Sequence, residues 1–176
     1  PKQLIITFKD DKISTELKTP IGSAGLSTVT NPEKNIYDTY VNLLAVKYYF
    51  EGTAEKIQPG FSSMKGISFI ETGEEKEILG FNCVRLGVKL PSSDSLRYIW
   101  YTDEIDVSQP NQLTPFRPID GVLLNFFYIL GDTEISFVAD EVLVREIPDR
   151  VFEKKDNYTR VTSGFLDSLI VKMVAF

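Results

Sequence analysis

The residue types able to do chemistry are few in this sequence and do not form a recognisable catalytic set. Histidine is absent, which removes the commonest general base and the commonest metal ligand, and with them every Ser-His or Cys-His nucleophile. Cys83 is the single thiol. It stands among apolar residues in 81–90, where activation to a thiolate needs a neighbouring cation; Arg85, two positions on, projects to the same strand face. A small buried hydrophobe is the reading its neighbours support. Asp103, Glu104 and Asp106 offer oxygen ligands to a hard cation but lack the spacing of a calcium loop, so they read as a solvated loop after a strand. Glu74, Glu75 and Glu77 around Lys76 read as a charged hairpin turn. Paired carboxylates can hydrolyse a glycosidic bond, yet only at a fixed separation that no pair here reveals. Asn157-Tyr158-Thr159 matches the N-glycosylation pattern, a frequent chance match. No catalytic residue, metal ligand or cofactor is expected.

Aromatic side chains are the better guide. Tyr98, Trp100, Phe126, Tyr128 and Phe137 recur at the period of two on neighbouring strand-like runs, which lets them line one concave surface as a ligand-binding wall. The alternative is that the same five residues form plain core beneath a covering helix, which is what most buried aromatics do.

The elements that would position them are mostly strands. Residues 4–8 are apolar and β-branched, and Asp10-Asp11-Lys12 signals the turn into an alternating run at 13–17, a hairpin. Residues 19–25, with Pro20, Gly22 and Gly25, read as a loop. Strands are expected at 26–30, 36–40 and 46–50, the last two flanking a turn near Asn42, although 40–49 also permits a helix. Further strands are expected at 67–72, 77–79 and 81–90, with Gly80 as a bulge or kink. Residues 96–102 alternate, with Tyr98 and Trp100 on one face and Ile99 and Tyr101 on the other. Residues 122–130 are apolar almost throughout, as in a strand covered on both sides. Gly131-Asp132 signals a tight hairpin into a strand at 135–144. Only the tail has a helical period, with Leu166, Leu169, Ile170, Met173 and Val174 on one stripe after a cap at Thr162 or Ser163.

Composition sets the outer limits. At 176 residues, 43% hydrophobic and 25% charged, the chain suits one domain with a substantial core. A net charge of -6 and a pI near 4.8 argue against nucleic acid, whose phosphates select basic patches. No apolar run approaches the roughly 20 residues of a membrane-spanning helix, and one cysteine makes no internal disulfide. The expected fold class is α+β, mainly β: a curved antiparallel sheet, an incomplete and unclosed barrel, with a C-terminal helix packed against the concave face.

Three short segments carry a family resemblance: Ile78-Leu79-Gly80-Phe81-Asn82-Cys83, then Trp100-Tyr101-Thr102-Asp103-Glu104-Ile105, then Ile119-Asp120-Gly121-Val122-Leu123-Leu124. In this order they resemble the GLPGLI-type exported proteins of Bacteroidetes, relatives of the LolA/LolB-like lipoprotein-carrier half-barrels. A strand-turn-strand over 31–50 ending in Lys47-Tyr48-Tyr49 adds to the likeness. The resemblance implies a single half-barrel domain over 1–176 with a first strand missing or shed, a periplasmic or outer-membrane-associated location, and no established activity. Two functions are then expected. The first is a non-catalytic carrier or binding module for an apolar, acyl or lipid-like ligand, with a cavity between sheet and helix. The second is a structural or interaction protein, fully packed, that recruits an envelope protein through an exposed edge or patch.

Overall fold

A computed structural model describes residues 2–20 and 24–175; Gly22 of the expected loop lies outside the described residues. Five strands come first: β1 (Gln3–Lys9), β2 (Lys12–Lys18), β3 (Gly25–Asn31), β4 (Ile36–Leu43) and β5 (Val46–Glu51). Each is antiparallel to the one before. Three of the four reversals fall where the chain accepts a left-handed backbone, at Asp10, Asn35 and Leu44. At the second of these, the Asn31 side chain accepts from the Lys34 amide and caps the short 3-10 turn Pro32–Lys34, the role for which Asn is suited. The turn after β4 is Leu44-Ala45 rather than Asn42, which lies inside the strand.

A second meander follows: β6 (Ser68–Ile78), β7 (Phe81–Lys89), β8 (Leu96–Thr102), β9 (Val122–Leu130) and β10 (Thr133–Val138). The strand orders are β1-β2-β3-β4-β5-β11 in one sheet and β10-β9-β8-β7-β6 in the other. The short β11 (Thr159–Arg160) runs parallel to β5, and α1 (Ser163–Val174) ends the described chain. The described residues are therefore mainly β, with two curved sheets, one C-terminal helix and no closed barrel.

Two expectations in the second meander are corrected. Glu74, Glu75, Lys76 and Glu77 do not form a turn but continue β6. Gly80 is no bulge: it forms the hairpin turn with Leu79, at φ 84° and 54°. A two-residue hairpin needs positive φ at its central positions, which Leu79-Gly80 provides and the charged run does not. The charged side chains instead occupy an edge strand, where they discourage pairing with other chains; Glu74 bonds Arg85 of β7. The register break lies between Glu71 and Glu75. Strand β10 also stops at Val138, short of the expected 144, and the chain beyond it packs Ala139 and Val142 against Cys83, Val122 and Leu124.

The main core lies between the sheets. Leu17 and Val41 from the first sheet meet Leu86, Val88, Ile99, Phe126 and Leu130 from the second. The helix enters this core with Leu166, Ile170, Met173 and Val174, all buried, and Thr162 caps it by accepting from the Phe165 amide. At about 25 cal/mol per Å² of apolar surface, four such side chains are what hold a helix of twelve residues in place, since a helix so short is marginal alone. The reverse face of the first sheet is covered by the chain from 147 to 158, which buries Val29, Tyr40 and Phe152 in a second cluster.

Candidate functional site

The inner face of the first sheet is laid out by its register. One row across the sheet reads Ile6, Thr15, Thr28, Thr39 and Phe50; the rows on either side are Leu4, Leu17, Leu26, Val41 and Tyr48, and Phe8, Ile13, Thr30 and Tyr37. Threonine suits the pleat because it is β-branched, but three hydroxyls in a middle row meet an otherwise apolar interior. A hydroxyl removed from water without a partner costs free energy. Thr15 and Thr28 resolve this by bonding each other at 2.6 Å. Thr39 is 1% exposed, and its Oγ1 has no hydrogen-bond partner among the described residues.

Facing this row across the molecule is β9. Val122, Leu123, Phe126, Tyr128 and Leu130 form the opposite wall of a cleft of about 60 Å³. Its ends are two loops: Gln58, Pro59 and Phe61 from one, and Pro110 to Thr114 from the other. The loops are tied together by the Gln58 amide donating to the Leu113 carbonyl at 3.0 Å. The second is fixed internally by Asn111, whose Nδ2 donates to the Ile119 and Gly121 carbonyls at 2.9 Å each. Long irregular segments of this kind are common carriers of binding sites when a rigid scaffold holds them. Gln58 Nε2 is buried and likewise without a partner among the described residues. Burial pushes the Tyr128 hydroxyl pKa well above its ordinary value, so Tyr128 stays neutral.

Three of the five aromatic residues singled out from sequence come together here. Phe126, Tyr128 and Phe137 have ring centroids 5.2 to 5.4 Å apart, with Phe61 5.0 Å from Tyr128; Phe126 and Tyr128 line the cleft. Tyr98 and Trp100 lie elsewhere. Tyr98 is 42% exposed, with the Arg85 guanidinium 3.5 Å above its ring. Trp100 belongs to the Cys83 cluster, under the Lys76 ammonium at 4.3 Å. Cys83 itself is fully buried, and desolvation raises its pKa, the opposite of what a reactive thiolate needs. Among the described residues no three His, Cys, Asp or Glu side chains converge as a metal site.

No family model and no curated protein matches this sequence. Its fold is similar to part of PNGF-II. Two structures of that protein, in the C2 and P21 space groups, superpose with TM-scores of 0.57 and 0.59 at 14% sequence identity. The match takes in 98% of this chain and 30% of the PNGF-II chain; it establishes the likeness of fold.

Sequence reasoning did not find Thr15, Thr28, Thr39 and Gln58. Alternating threonines in β2 to β4 look like the solvent face of half-buried strands. Only the register aligns the threonines in one row, and only the second sheet covers that row, burying Thr28 and Thr39 and half-burying Thr15.

Proposed function

We propose that this protein is a non-catalytic binding module that takes a short apolar part of its ligand into the cleft between the sheets. The observation carrying this reading is the cleft itself: apolar walls from β1 to β4 and from β9, lined also by the Thr39 hydroxyl, which has no partner among the described residues. Apolar walls supply affinity through buried area, and a few placed polar groups supply orientation. The free space is at the β1 side, because α1 fills the other with its four buried side chains. At about 60 Å³ it has room for roughly five waters, so the group received is the size of a side chain or the end of an acyl chain. The resemblance to lipoprotein-carrier half-barrels adds an exported, envelope-associated location, which fractionation of the native host would check.

A fluorescent probe bearing a short acyl tail tests the reading. Saturable enhancement is expected with the delipidated protein and is expected to vanish in Leu4→Trp, which places an indole at the half-buried mouth beside β1. Equal enhancement in both proteins, or none in either, would refute it.

A second reading, an interaction protein that recruits an envelope partner, draws on β1. That strand is the edge of its sheet and is uncharged from Gln3 to Phe8, without the charges and bulge that protect β6.

A further inference from the structure

We infer that the group this cleft buries is electrically neutral: a short alkyl body ending in a hydroxyl, amide or ester carbonyl, and not a carboxylate or an amine. The inference rests on the reading of the cleft as a binding site and specifies what that site accepts. Among the described residues that line it there is no Lys, Arg, Asp or Glu. Its polar side chains are all hydroxyls and amides: a set of threonines that includes Thr39, the Tyr128 hydroxyl, and Gln58, Asn111 and Gln112. Two fully buried atoms among them have no partner among the described residues: Gln58 Nε2 is a donor, and Thr39 Oγ1 can donate or accept. Together they suit a carbonyl or hydroxyl oxygen. Arg117 does not supply a charge. It flanks an adjoining polar depression that shares Gln112 with the cleft, and its guanidinium is spent on the Glu55 and Ala54 carbonyls at 2.7 and 3.3 Å.

The same molecule shows what it does with a carboxylate it buries. Asp38, on the reverse face of the same sheet and fully buried, has the Lys154 ammonium at 2.8 Å and the Tyr40 hydroxyl at 2.6 Å. An anion in the cleft would meet no such cation, and an uncompensated buried charge is far more costly than a neutral polar group.

Titration of the isotopically labelled full chain with 1-pentanol, pentanamide and pentanoate at pH 7, followed by amide NMR shifts, tests this. Pentanol and pentanamide are expected to shift resonances of β2, β3, β4 and β9 saturably, with pentanoate at least about tenfold weaker. Thr39→Val and Gln58→Met keep the shape and remove the polar atom; each is expected to weaken pentanamide by about three- to tenfold while leaving the spectrum dispersed. Pentanoate binding as tightly as the neutral pair would overturn the inference and leave the cleft a binding site. Unchanged pentanamide affinity in both variants would overturn it equally. If none of the three compounds shifts cleft resonances, the binding reading itself fails.

Discussion

Asp38 is a fully buried carboxylate held by two side chains from different parts of the fold. Its Oδ2 accepts from Tyr40 and from Lys154, and Lys154 also lies 3.7 Å from Glu51 and over the Tyr49 ring at 4.7 Å. Desolvation pulls the Lys154 pKa down, but the hydrogen bond and charge of Asp38, aided by Glu51, outweigh it and leave the pKa raised. Burial, then the bond to Asp38, raises the Tyr40 pKa as well. In both cases the folded state holds its proton more tightly than the unfolded chain does. The resulting stability is present below the unfolded pKa values, about 10 for Tyr and 10.4 for Lys, and is lost as pH rises through the folded ones. Urea unfolding followed across pH 8 to 11 is therefore expected to show a midpoint falling above about pH 10. Lys154→Met is expected to cost about 1–3 kcal/mol at pH 8, since it strands a buried carboxylate whose partner was itself partly solvated, and to flatten part of that alkaline fall. A variant as stable as the parent would show that Lys154 is not what sustains Asp38. None of this was legible in the sequence, where Asp38 and Lys154 are distant and each looks like an ordinary surface charge.

Among the elements, α1 shows how a local pattern and a distant residue jointly fix a position. Its apolar stripe, and a cap at Thr162 or Ser163, were readable from the sequence because both depend on spacing within one turn or two; the structure selects Thr162. Its seat was not readable there. Gly60 lies against the helix at φ 102°, and a Cβ there would stand 2.9 Å from Ile170 Cγ2 and 3.2 Å from Leu130 Cδ2. Its amide also donates to Asp167 Oδ1 at 2.6 Å. Gly60→Ala combines an unfavourable backbone with a clash against a filled core and is expected to destabilise by about 1–3 kcal/mol. Thermal unfolding measures this; an unchanged melting temperature would mean that loop and helix separate easily. The β6 hairpin shows the converse error. A charged cluster resembles a turn by composition, but positive φ at Leu79 and Gly80 decides where the chain reverses.

For the molecule as a whole, the sheet edges differ in protection. β6 carries Glu71, Glu74, Glu75, Lys76 and Glu77 and a register break, whereas β1 reads Gln-Leu-Ile-Ile-Thr-Phe-Lys in unbroken register with β2. Self-association on mild heating should therefore start at β1. Ile5→Lys, at a position 39% exposed, is expected to reduce light scattering several-fold without lowering the melting temperature. Scattering unchanged in this variant would place the sticky surface elsewhere. The sequence by itself determined that this protein is mainly β, where its clearest strands lie, that its tail is an amphipathic helix and that Cys83 sits among apolar neighbours, because period, turn chemistry and capping act over a few residues. The tertiary structure alone decided that the strands divide into two facing sheets, that three threonines share one inward-facing row, that Tyr98 and Trp100 part from Phe126, Tyr128 and Phe137, and that the free space lies away from the helix. Those facts depend on register and on which faces meet, and a one-residue slip would send every side chain of a strand to its other face.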